Sequence, residues 1–147
     1  MRDKNKILII TACSPLKNTN VIRGTAREVF NTSSRLKHFW KMMSRLGTQN
    51  FDWAIVSKYG LWFYDEVKQV YDVHPKKYMD EKWLSIMREQ LDGWPYVFYY
   101  DPYKGSRRSF KYQWSLLLSI RPDMAVGDFT LLKQLLKSKW RIVRRWW

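Results

Sequence analysis

A chain of 147 residues with 46% apolar and 27% charged side chains has the size and make-up of one globular domain with a substantial core. It carries no low-complexity tract, no apolar run near the ~20 residues that span a bilayer, and no signal-peptide core. Its single cysteine, Cys13, excludes an internal disulfide and any zinc site built on several thiolates, so a soluble, cytoplasmic protein is expected. The formal charge of +14 and nine Trp residues are the departures from average. Excess positive charge draws polyanions through counterion release, and aromatic faces stack on unpaired bases, which makes nucleic acid, DNA or RNA, the expected partner.

Strand and helix signals alternate along the chain. Residues 6–11 form a short apolar run that reads as a buried strand and stops at Ala12-Cys13-Ser14-Pro15-Leu16-Lys17. Ser33 to Leu46 repeats Leu36, Phe39, Trp40, Met43 and Leu46 at helical spacing, with Thr32 or Ser33 as cap and a stripe of His38, Lys41 and Arg45 that reads as a solvated face or as part of a phosphate-facing surface. A second strand over 52–57 runs into Lys58-Tyr59-Gly60 and an aromatic loop over 61–67. Then come a helix from Asp80 or Glu81 to Leu91, stopped by Asp92-Gly93, and a third strand over 96–100. The turn-rich segment 101–106 opens a helix through Phe110, Trp114, Leu117 and Leu118, and residues 123–126 offer a short edge strand.

The last helix is expected from Asp128 to about Arg145. Phe129, Leu132, Leu136, Trp140 and Val143 lie on one face, and Lys133, Lys137, Arg141 and Arg144 form a basic stripe. Packing on the sheet is the first use of the apolar face, and homodimerisation through this helix is the second. The Arg144-Arg145-Trp146-Trp147 tail suits nucleic acid, a membrane interface or a free end.

An order of β-α-β-α-β-α with right-handed crossovers implies a parallel sheet covered by helices, and so a ligand site where the loops after the strands meet. Loop one supplies Cys13, Ser14 and Lys17. Loop two supplies Ser57, Lys58, Tyr59, Asp65 and Glu66, and loop three supplies Asp101, Tyr103, Lys104, Arg107 and Arg108. Gly105-Ser106 before a helix start could hold a phosphate or serve only as a turn. Walker A, G-x-G-x-x-G, G-x-S-x-G and H-E-x-x-H patterns are all missing, so no cofactor or metal is indicated. His38 reads as surface, and His74, nearer the expected site, as structural first and catalytic second. Cys13 is open to two readings, a nucleophile or a small buried strand-end residue.

The run Ile-Ile-Thr-Ala-Cys-Ser-x-x-Lys, then Val-Ser-Lys-Tyr-Gly-Leu, Asp65-Glu66-Val67, Tyr71-Asp72 and Ala125-Val126-Gly127 resembles an uncharacterised α/β family of phage, bacterial and archaeal proteins. Its members read Cys-Ser-x-x-Lys near the N-terminus and Ser-Ala-Lys-Tyr-Gly-Leu in the middle. The chain is more distantly similar to the core domain of archaeosine synthase, which works on a modified guanine in tRNA. The resemblance implies a Rossmann-like α/β three-layer sandwich with a small, mainly parallel sheet, here with a long basic C-terminal helix, and a nucleobase, nucleotide or nucleic-acid substrate. The bulky Trp62-Phe63-Tyr64 and the Arg-Trp-rich end depart from that pattern.

Base modification or glycosyl-type chemistry within nucleic acid is the leading expectation. Cys13 or Ser14 would be nucleophile or oxyanion donor, Asp65 or Asp72 the general acid/base, and Lys17 and Lys58 the phosphate or carbonyl ligands. Tyr59 or Trp62 would stack on the base, with Lys104, Arg107, Arg108, Lys133, Lys137, Arg141 and Arg144 on the backbone. The alternatives are a non-catalytic single-strand-binding protein and a membrane-surface protein.

Overall fold

The computed structural model describes residues 2–14, 17–18, 20–103 and 111–137. Its centre is β1 (Ile7–Ala12), flanked in parallel by β3 (Phe51–Ser57) and β6 (Val97–Tyr100), with Ile9 opposite Trp53 on one side and Phe98 on the other. Every residue of the three strands is buried, as expected of parallel strands covered on both faces. The anticipated edge strand forms as β7 (Ala125–Gly127), parallel to β6.

The aromatic loop expected over 61–67 begins instead as a strand, through Phe63. β4 (Gly60–Phe63) turns back antiparallel on β3 and closes the other edge, giving the order β4-β3-β1-β6-β7. Ser57 drives the turn: its hydroxyl donates to the Gly60 carbonyl and accepts from the Tyr59 N–H. Gly60, at φ +83°, takes the left-handed conformation that closes such hairpins. A two-stranded ribbon, β2 (Arg23–Gly24) with β5 (Lys68–Gln69), lies apart from this sheet.

The helices follow their caps. α1 (Ala26–Val29) starts with a Thr25–Glu28 capping box, and α2 (Ser34–Leu46) with Ser33 Oγ accepting from the Leu36 N–H. α3 (Pro75–Tyr78) is capped by His74, whose Nδ1 accepts from the Lys76 N–H. α4 (Glu81–Leu91) is capped by Asp80, and α5 (Lys111–Ile120) and α6 (Phe129–Lys137) complete the set. The long basic helix expected to Arg145 is described only to Lys137, so its Arg141 and Arg144 lie outside the described residues.

Alternation along β1 assigns the layers. Ile7 and Ile9 pack with α1, α2 and α6, and Leu8, Ile10 and Ala12 with α4 and α5. None of the described helices is long and apolar enough to cross a membrane. The chain leaves β1 towards β3, and later reaches β6 on β1's other side. The direction of winding therefore reverses between β1 and β6, where open α/β sheets form a crevice at the carboxyl ends of their strands.

Candidate functional site at the carboxyl edge of the sheet

At that edge β1 and β6 are tied by side chains. Thr11 Oγ1 donates to the Tyr100 carbonyl at 2.8 Å. Arg35, from the first turn of α2, donates through Nη1 to Thr11 Oγ1 at 2.8 Å, and through Nη2 to the carbonyls of Ala12 at 2.6 Å and Cys13 at 3.1 Å. Burial lowers the Arg35 pKa, yet a guanidinium stays charged at any working pH. The result is a fixed positive charge beneath the chain as it leaves β1. Asp101 is buried where β6 ends, its Oδ1 accepting from the Tyr103 N–H. Burial pushes the neighbouring Tyr100 phenol up to about 12.

Cys13 is buried at the end of β1, held by its N–H donating to the Val56 carbonyl at 3.1 Å. Its Sγ lies 3.7 Å from the hydroxyl of Tyr78, on α3. Tyr71 completes the cluster. Its hydroxyl accepts from the Lys58 N–H at 3.2 Å, it also interacts with Cys13, and its ring meets that of Tyr78 edge-on. Burial, then the neighbouring thiol, raises both phenols well above the usual range, so both keep their protons for donation. Over the Tyr71 ring sit two ammonium groups, Lys17 Nζ at 5.0 Å and Lys58 Nζ at 6.0 Å. A thiol, two proton-bearing phenols and two cations thus converge from β1, α3 and the two flanking loops. Such a set can grip an anion and offers a nucleophile beside acids.

The structure places the other candidates differently. Asp65 is not at this edge: β4 runs antiparallel to β3, which carries Asp65 back to the amino end of the sheet. There Arg2 bridges Asp65 and the buried Asp52, with its guanidinium 3.7 Å from the Phe63 ring centroid. Glu66 is spent in the same turn, accepting from the Phe63 N–H at 2.8 Å. A catalytic role for Asp65 beside Cys13 is therefore excluded by topology. Trp62 cannot stack on a base, because it is 0% exposed and its Nε1 donates to the Glu66 carbonyl at 2.9 Å. Asp72 is exposed, Ser14 is buried, and the Ser57 hydroxyl is consumed by the hairpin.

Tyr59 is half-buried. Its hydroxyl donates to the Gln69 carbonyl, and its ring borders an open pocket of about 470 Å3 with Arg23 and Lys68. Lys133 and Lys137 are exposed on α6, away from its buried Phe129, Leu132 and Leu136. Lys104, Arg107 and Arg108, with Arg141 and Arg144, lie outside the described residues. Among the described residues no group of three or more His, Cys, Asp and Glu side chains is arranged to hold a metal ion.

The Arg2 clamp has a pH signature. Desolvation raises the Asp52 pKa above its ordinary value despite the nearby guanidinium. The native state then binds more protons than the unfolded chain between the ordinary and the raised value, so this group's contribution to stability falls as pH rises through that window. In urea titrations from about pH 3.5 to neutrality, Asp52→Asn is expected to gain stability relative to wild type as pH rises, and then to level off. A difference independent of pH would show that Asp52 ionises normally.

Arg35 and Tyr78 were not among the sequence candidates. One signal for Arg35 was present: a cation in the first turn of a helix opposes the macrodipole and calls for a tertiary reason. No protein-family model, curated protein or solved structure matches the chain.

Proposed function

We propose that this protein binds nucleic acid and receives one nucleotide of the bound strand at the carboxyl edge of its sheet, where chemistry is directed at the base. The observation that carries this reading is the convergence of Lys17 and Lys58 over the Tyr71–Cys13–Tyr78 cluster, at the sheet edge where the winding reverses. The net charge of +14 supports it, since free mononucleotides do not call for so large a field. So do helices on both faces of the sheet, in keeping with a Rossmann-like three-layer sandwich, and the motif resemblance to a nucleobase-related family. Lys17 and Lys58 hold phosphate, Cys13 is the nucleophile, and Tyr78, which keeps its proton, supplies the one that Asp65 cannot.

A non-catalytic single-strand-binding protein is the second reading, favoured by the removal of Asp65 from the edge and the burial of Trp62. Fluorescence anisotropy with labelled single- and double-stranded DNA and RNA tests binding itself. With three or more phosphates neutralised, affinity is expected to fall about 20-fold or more between about 50 and 200 mM salt. No binding at low salt overturns both readings. Tyr78→Phe and Cys13→Ser then separate them: loss of an altered base, detected by mass spectrometry of nucleosides, at unchanged affinity marks the enzyme. No altered base with wild-type protein leaves the binding module.

A further inference from the structure

Outside the carboxyl edge, the outer face of α1 and α2 carries an open groove of about 530 Å3. Its cations are Arg27 from α1 and Lys37, Lys41 and Arg45 from α2, all exposed, and none of the residues lining it is acidic. The sequence stripe of His38, Lys41 and Arg45 is thus re-formed, with Lys37 in place of His38 and Arg27 joining from a second helix. Lys37, Lys41 and Arg45 stand on successive turns, about 6 Å apart and ~12 Å end to end. That run matches the axial rise of three to four nucleotides of one B-form strand, at about 3.4 Å each.

The groove also has a buried donor in its wall. Trp40 lines the same groove, is 4% exposed, and its Nε1–H has no acceptor among the described residues. An indole N–H only donates, and a buried donor without an acceptor is destabilising. Ser44, in the same groove, donates its hydroxyl to the Trp40 carbonyl at 2.9 Å.

We infer that this groove is a track for the sugar-phosphate backbone of a nucleic-acid strand, separate from the carboxyl-edge site. The inference rests on the nucleic-acid reading above and adds where the strand runs. α2 begins at the carboxyl edge, where Arg35 meets Ala12 and Cys13, so the Lys37 end of the track is the end nearer the crevice. Phosphates held there would leave the crevice along α2 towards Arg45.

The test is anisotropy with a single-stranded oligonucleotide across a salt series, using the full chain with Arg27, Lys37, Lys41 and Arg45 all changed to Ala. At about 0.1 M salt each released counterion multiplies affinity roughly fivefold, so losing three contacts should weaken binding about 100-fold and flatten the log–log salt slope by about two units. A control changes Lys76, Lys77, Lys82 and Arg88, also exposed, to Ala, and removes the same charge from α3 and α4. It should retain most of the affinity and slope. Wild-type binding with equal losses in the groove and control variants overturns the track while leaving the nucleic-acid reading intact. Failure of the wild type to bind overturns both, and binding only to vesicles of anionic phospholipid assigns the groove to a membrane surface instead.

Discussion

Replacing Trp62 with alanine is expected to destabilise the protein by about 3–5 kcal/mol, the range for removing a large aromatic side chain from a packed core. Trp62 is fully buried on β4, meets the Phe30 ring edge-on at 5.9 Å and the Tyr59 ring likewise, and ties the following turn through Nε1 to the Glu66 carbonyl. The substitution leaves a cavity and an unpaired carbonyl together. Urea denaturation followed by circular dichroism reads the effect, and Trp62→Phe, which keeps most of the volume, should cost less. If Trp62→Ala unfolded like wild type but lost oligonucleotide affinity, Trp62 would be a surface stacking platform after all.

Gly60→Ala should cost about 2–3 kcal/mol from two sources. An L-residue in the left-handed region costs about 1–2 kcal/mol, and Gly60 sits at φ +83°. A Cβ there would also overlap Gln90 Oε1 and lie 3.1 Å from Ile86 Cγ2. Gln90 Oε1 accepts from the Leu61 N–H at 2.8 Å, so moving it away sacrifices a hydrogen bond worth about 1 kcal/mol. In a Gln90→Ala background the overlap is relieved, and Gly60→Ala should cost only the backbone share, which a double-mutant cycle reads directly. Because Lys58 and Tyr59 form the turn before Gly60, the variant should also weaken nucleic-acid binding. Wild-type stability in Gly60→Ala would mean that the hairpin does not need its left-handed residue.

The three central strands and their helices were legible in the sequence because each is a local pattern. Unbroken apolar runs such as 7–10 bury on both faces in a parallel sheet. A 3.6-residue period such as Leu36-Phe39-Trp40-Met43 buries on one face of a helix, and Ser33 and Asp80 announce the helix starts. The meeting of Cys13, Lys17 and Lys58 at one edge followed from the parallel arrangement alone. What local pattern could not decide was the direction of the chain after Gly60. A loop and a returning strand offer the same aromatic run, yet the antiparallel turn carries Asp65 the length of the sheet away from Cys13 and places Trp62 inside. Nor could spacing reveal Arg35 beneath β1, Tyr71 and Tyr78 around the thiol, or Arg27 joining the cations of α2, because each is a contact between elements distant in the chain. Composition and periodicity thus determined the layers and the charge. Long-range packing decided which polar groups share a site, since only the folded sheet sets the distances on which hydrogen bonds and ion pairs depend.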